Sequence, residues 1–301
     1  MTWKRVATAA VLIPVVVAIV LFTPTSVVAI ATAIVTILAL REYFALGDAI
    51  GHRAYGFWTI FCALLLTFVQ WRVFQPFFFL SATSGSMSSS HTALVSDNSA
   101  LIHRLSTLFS PSSIFFAFVL GLTVLTLWTR RPLVEALPAA GISSSALLLV
   151  AFPLSYAIRL HGFSEQGPRL LLFVLVTTWA ADTFAYFAGR SFGKHPLALQ
   201  ISPKKTWEGS VASVIGSLLV AYAFSYWIKI PLPHLFAMAV LGNIAGQLGD
   251  LLESAYKRSA GVKDSGGLLP GHGGVLDRID ALILCIPVIW YYLVLVNPPL
   301  R

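Results

Sequence analysis

Charge is scarce in this sequence. Asp, Glu, Lys and Arg supply 11% of its 301 residues, whereas 57% are hydrophobic and the mean hydropathy is +0.82. That balance excludes a soluble globular domain, in which about a quarter of the residues are charged. Cysteine is nearly absent: Cys62 and Cys285 each fall inside an apolar run, where a thiol packs as a small hydrophobe, so neither a disulfide nor a thiolate metal site is expected. No inverted internal repeat of the kind many transporters carry can be read. Acids are outnumbered by bases, 12 to 20. With no soluble basic domain to carry it, that excess argues against nucleic acid and for an anionic membrane surface and phosphate-bearing substrates.

Long apolar runs are what the chain does have. Stretches near the length that crosses a bilayer occur at Val6 to Phe22, Ser26 to Ala45, Gly56 to Trp71, Ser113 to Trp128, Ile142 to Ile158, Leu170 to Phe187, Trp207 to Ile228, Leu235 to Ala255 and Leu276 to Val296. The expected fold is all-α, a polytopic integral membrane protein with about nine transmembrane helices. Arg72 and Arg159 clip the ends of the third and fifth runs. The opening Met-Thr-Trp-Lys-Arg resembles a signal peptide, but no small-residue cleavage site follows Phe22, so the first run is read as a retained helix. An inside N-terminus puts 14 of the 20 Lys and Arg residues on the cytoplasmic side, although 6 remain on each side once the two richest loops are set aside. The chain divides into scaffold helices over 1–80, a Ser-rich extracytoplasmic loop over 81–110, middle helices over 111–169 and a catalytic region over 170–301.

Seven of the 12 acids lie beyond residue 181, and the chemistry is expected there. In the eighth run Asn243, Gln247, Asp250, Ser254 and Lys257 recur at helical spacing with Glu253 beside them, a polar stripe that cannot face lipid. In the sixth run Thr178, Asp182, Tyr186 and Gly189 share a face and lead through Arg190 into a polar loop. Ser202 and Pro203 read as the cap and first turn of a helix, which would set Lys204, Lys205 and Thr206 where a helix N-terminus favours anions such as a triphosphate. Glu208 follows, either to pair with those lysines or to support a metal-bound water.

Ser254 to Asp280 is the densest polar segment, with Lys257, Arg258, Lys263 and Arg278 interleaved with Asp264, Asp277 and Asp280 among six glycines that include Gly273 and Gly274. Carboxylates that hold a hard divalent ion and cations that neutralise phosphate are both present. The glycines would let backbone N–H groups line an anion site. His272, among them, suits a role in phosphate binding or orientation; zinc is not expected, because no second His or Cys stands at ligand spacing.

These residues carry a resemblance. Ser254, Lys257, Arg258, Lys263, Asp264, Pro270, His272, Gly273, Gly274, Asp277, Arg278 and Asp280 match in type and spacing the signature of the phosphatidate cytidylyltransferase (CDP-diacylglycerol synthase) family. Ser202 to Gly209 and Asp182 to Arg190 are similar to its second motif region, with Phe184 where a small residue is expected. The resemblance implies an enzyme that joins phosphatidic acid to CTP, giving CDP-diacylglycerol and pyrophosphate, with Mg²⁺ held by Asp250 and Asp277 and supported by Asp182 and Glu208. It leaves room for K⁺ at the paired metal centre. Arg190, Lys204 and Lys205 would grip the triphosphate, and Lys257, Arg258, Lys263 and Arg278 the lipid phosphate or pyrophosphate, or the two sets exchanged. It further implies a bacterial inner membrane, an active site facing the cytoplasm, membrane lipid as a partner and room for a homodimer. A CTP-dependent lipid kinase and a cation-coupled transporter are the alternative readings.

Overall fold

A computed structural model of the protein describes residues 2–83, 110–129, 132–268 and 273–297. Most of the Ser-rich segment, together with Pro270 and His272, lies outside the described residues. The described helices are α1 (Thr2–Phe22), α2 (Thr25–Ala49), α3 (Gly56–Thr83), α4 (Pro111–Trp128), α5 (Leu133–His161), α6 (Gly167–Phe192), α7 (Trp207–Phe224), α8 (Leu232–Ser259) and α9 (Leu276–Val296). Among them α2 and α4 to α9, 7 helices, are long and apolar enough to cross a membrane, and shorter apolar helical stretches occupy Ala10–Phe22 and Gly56–Arg72. The protein is an all-α integral membrane protein.

Two departures from the apolar runs have local causes. Arg159 does not end α5: its guanidinium hydrogen-bonds Gln70 and lies over the rings of Tyr156 and Trp290, at 5.2 and 5.0 Å, so the charge is held inside protein. Pro153, which lacks an N–H and crowds the carbonyl four residues back, follows a widened π-helical turn at Leu147–Ala151, and the helix then resumes. Polar residues do not interrupt α8 either, because they face neighbouring helices.

Helices α6 to α9 pack in sequence, α6 on α7, α7 on α8 and α8 on α9. Between α8 and α9 the approach is set by small residues. A Cβ on Gly249 would lie 2.5 Å from the carbonyl oxygen of Asp280, and one on Gly242 would lie 2.8 Å from Ile289, whereas one on Gly246 would reach Ala281 at an ordinary 3.5 Å. In a membrane, where lipid tails are as apolar as leucine, such close contact is what holds helices together. The opposite flank of α9 rests on α5 and α2, α3 packs against both of these, α4 lies on α3 and α1 on α6. Phe184 is accommodated by Gly216 of α7, where any Cβ would meet its ring at 2.8 Å. Cys62 and Cys285 are free and buried, as their apolar settings predict.

Candidate active site

The connections α6–α7 and α8–α9 emerge at the same end of the antiparallel group, and the polar residues gather there. The first connection is a two-stranded antiparallel hairpin, β1 (Pro196–Ala198) and β2 (Ser202–Thr206), with Ala198 opposite Ser202 and Pro196 opposite Thr206. The expectation of a helix opening at Ser202 and Pro203 is therefore corrected. Lys204 and Lys205 stand on a strand, and the helix begins only after that strand ends, at Trp207, capped by Thr206 Oγ1 accepting from Gly209 N at 3.2 Å. Pairing across the hairpin satisfies backbone groups that a Ser-Pro start would have given to a helix.

A cavity of about 260 Å³ opens beneath the hairpin between α6, α7, α8 and α9. Its lining includes Asp182, Lys204, Lys205, Thr206 and Asp250, and deeper in, Asn243 and Gln247. The deeper pair forms a ladder with α7: Gln247 accepts from Ser210 Oγ at 2.5 Å and donates to Ser213 Oγ at 2.9 Å, while Asn243 accepts from Ser213 Oγ at 3.1 Å and donates to Ser217 Oγ at 2.8 Å. The deeper part of the expected α8 stripe, Asn243 and Gln247, is thus an interhelical hydrogen-bond seam, satisfied internally where lipid could not satisfy it.

At the mouth, Lys205 Nζ and Asp250 Oδ2 lie 2.6 Å apart, and Ser254 Oγ stands 3.5 Å from Asp250 Oδ1. Asp182 is within electrostatic reach of Asp250, Lys205 and Arg278, and Asp280 within reach of Asp250, Glu253 and Asp182. Three acids from α6, α8 and α9 therefore share one field, with Lys205 and Arg278 as their cations. Arg190 donates to Tyr186 Oη at 3.0 Å beside the cavity. Arg258 donates to the carbonyls of Ile201 and Val262 at 3.3 and 3.2 Å, tying the end of α8 to the hairpin turn. Lys263 and Asp264 are exposed just past α8.

Two expectations differ from this arrangement. Glu208 pairs with neither lysine; its Oε1 lies 2.7 Å from His195 Nδ1, which closes the hairpin onto α7. Asp277 does not share the cavity with Asp250. It sits in a second cluster, where Lys257 Nζ approaches its Oδ1 at 2.6 Å and also pairs with buried Glu253. Ser265 N and Gly274 N donate to Asp277 Oδ2 at 3.0 and 2.8 Å. Gly273, at φ +78°, needs its glycine here, since a Cβ would lie 2.6 Å from that oxygen.

The glycine-rich loop is likewise occupied from within. Glu42 of α2 accepts from Val275 N at 2.9 Å, Leu276 N at 2.8 Å and Ser265 Oγ at 3.1 Å. The glycine-rich loop is expected to offer backbone N–H groups to an anion; those of Ser265, Gly274, Val275 and Leu276 are instead spent on the carboxylates of Asp277 and Glu42. Sequence reading missed Glu42. Its one signal was an acid inside the second apolar run, which is costly in a membrane unless it is paired.

Among the described residues no group of three or more His, Cys, Asp and Glu side chains stands ready to hold a metal. Asp182 and Asp250 nonetheless line the same cavity beside Lys204 and Lys205. Two carboxylates completed by substrate phosphate oxygens and water are a donor set that Mg²⁺ takes.

Among curated relatives, the phosphatidate cytidylyltransferase of Haemophilus influenzae is 40% identical over 174 residues, 55% of this chain and 59% of the relative. That of Bacillus subtilis is 36% identical over 157 residues, 52% of this chain and 58% of the relative. That of Staphylococcus saprophyticus is 43% identical over 132 residues, covering 43% and 51%. The chain spans only about half to three fifths of the length of these relatives. The cytidylyltransferase family profile, however, matches residues 3–296, nearly the whole sequence, and the chain belongs to that family.

Proposed function

We propose that the protein is a phosphatidate cytidylyltransferase, joining CTP to phosphatidic acid to give CDP-diacylglycerol and pyrophosphate at the cytoplasmic face of a bacterial inner membrane. The observation that carries this reading is the cavity itself, which brings Asp182, Asp250, Lys204 and Lys205 to the mouth of a pocket between membrane helices. A water-soluble nucleotide and a lipid headgroup can meet only at such a boundary.

In the reaction, a phosphate oxygen of the lipid attacks the α-phosphorus of CTP, the new P–O bond forms in line, and the bond from the α-phosphorus to the bridging oxygen breaks. Pyrophosphate carries away the electron pair. No protein nucleophile is needed, so the protein's work is positioning and charge neutralisation. Lys204 and Lys205 approach the triphosphate from the hairpin, and Arg190 lies at the same end. Asp182 and Asp250 would hold Mg²⁺, which when bound supplies neutralisation of the phosphate oxygens. Asp280 is the next acid in reach for a second ion, K⁺ on the family-based expectation. Lys257 and Asp277 act from behind, holding the loop and the start of α9 from which Arg278 faces the acids.

The test uses purified protein in detergent with phosphatidic acid, Mg²⁺ and CTP labelled either in the cytidine or at the γ-phosphate. Cytidine label entering the lipid with stoichiometric pyrophosphate supports the reading. Entry of γ-label would make the protein a lipid kinase instead.

A further inference from the structure

We propose that Glu42 is a positioning residue for the transfer reaction, an inter-helix cap through which α2 fixes the loop and first turn of α9. The inference rests on the function proposed above, and it concerns a residue outside the matched signature, more than two hundred positions upstream of the groups it touches.

Helix α9 opens without a cap of its own: Val275 stands at the capping position and has no side-chain oxygen to offer. Its first donors turn instead to a carboxylate from another helix, at 2.9 Å from Val275 N and 2.8 Å from Leu276 N. An acid in that place satisfies N–H groups that would otherwise be orphaned, and its charge complements the positive end of the helix dipole. The same carboxylate takes the hydroxyl of Ser265, so it joins the far side of the loop to the helix start. Space has been cleared for it. A Cβ on Gly274 would lie 2.3 Å from Glu42 Oε2 and one on Gly266 would lie 2.7 Å from Oε1.

The neighbouring residue binds α2 to the other site helix. Tyr43 meets Tyr256 of α8 edge-on at 5.7 Å and donates to Ser145 of α5 at 2.9 Å. Consecutive residues of α2 thus engage both helices that carry Asp250, Asp277, Arg278 and Asp280. A local Ser or Asp at position 275 would cap α9 without reference to α2. Delegating the cap to Glu42 makes the placement of Asp277 and Arg278 depend on where α2 lies.

The experiment compares full-length wild type, Glu42→Gln, Glu42→Ala and Gly274→Ala in detergent. Amide hydrogen exchange over residues 264–280 is followed beside steady-state cytidylyl transfer. In Glu42→Ala, exchange at Val275 and Leu276 should accelerate while α6 and α7 stay protected. With that loosening, kcat should fall at least ~10-fold with KM for CTP within about 2-fold, as a misplacement near 1 Å can cost up to ~10²-fold. Glu42→Gln, which keeps one acceptor oxygen, should fall between Ala and wild type. Gly274→Ala, which crowds the same carboxylate, should reproduce the loop signature even if Glu42→Ala folds poorly. Unchanged exchange at Val275 and Leu276, or faster exchange with wild-type kcat, would overturn the proposal. Wild type that transfers no cytidylyl group, while Glu42→Ala still loosens the loop, would sink the function reading and leave the cap standing.

Discussion

Lys205 on the hairpin and Asp250 on α8 meet at 2.6 Å across the mouth of the cavity, each only partly exposed. The pair joins the water-facing part of the site to its membrane-embedded part, and each partner is suited to a different substrate-bound neighbour. Phosphate would draw the lysine and a cation the carboxylate.

Replacing that carboxylate isolates its charge. Asp250→Asn should lower turnover by ~10²–10³-fold, the range seen when one preorganised electrostatic contact is removed from a reacting centre. Circular dichroism and gel filtration in detergent should remain those of wild type. A variant with more than a tenth of wild-type pyrophosphate release at ordinary Mg²⁺ would remove Asp250 from the site.

Lys257 answers to two acids, Glu253 and Asp277, and Glu253 is only 5% exposed. Lys257→Met leaves both carboxylates without their cation and should destabilise the protein by roughly 3–5 kcal/mol, the cost of breaking a buried pair. Adding Glu253→Gln removes one of the stranded charges, so the double variant should regain part of the loss. Thermal unfolding of the single and double variants in one detergent measures both, and a double variant less stable than Lys257→Met alone would contradict this account.

Glu208 belongs to a different class of contact. Its partner His195 has a side chain 77% exposed, and a polar contact so open to water contributes little. Glu208→Gln still offers an acceptor to Nδ1 and should retain more than about a third of wild-type turnover. A loss as large as that of Asp250→Asn would place Glu208 among the groups that touch substrate.

The glycines of α8 give a paired test of packing. Gly249→Ala would set a methyl group 2.5 Å from a backbone oxygen of Asp280, whereas Gly246→Ala would meet Ala281 at 3.5 Å. Overpacking costs ~1–3 kcal/mol, so Gly249→Ala should melt measurably lower and Gly246→Ala close to wild type. Equal melting temperatures for the two would show that the seam yields.

Much of the fold was legible because apolar runs near bilayer length have few alternatives, and the α8 stripe was legible because helical spacing puts Asn243, Gln247, Asp250, Ser254 and Lys257 on one face. What stayed hidden was long-range pairing. Ser202 and Pro203 fit a helix start as well as a strand, and the choice was decided by Pro196 to Ala198 lying alongside. Asp277 reads as an available ligand until the fold returns Ser265 and Gly274 to it, and Glu42 reads as scaffold until α9 is brought to its side. For Asp277 the motif names the acceptor and the fold brings its donors; for Glu42 the motif names the donors and the fold brings the acceptor.

The contact of Gly249 with the Asp280 carbonyl sets main chain against main chain, and main chain has no rotamers with which to adjust. Asp250, next to that glycine, and Asp280 therefore travel as a single rigid piece. A thicker or thinner bilayer can tip the whole pair of helices, but it has little purchase on the gap between the two acids.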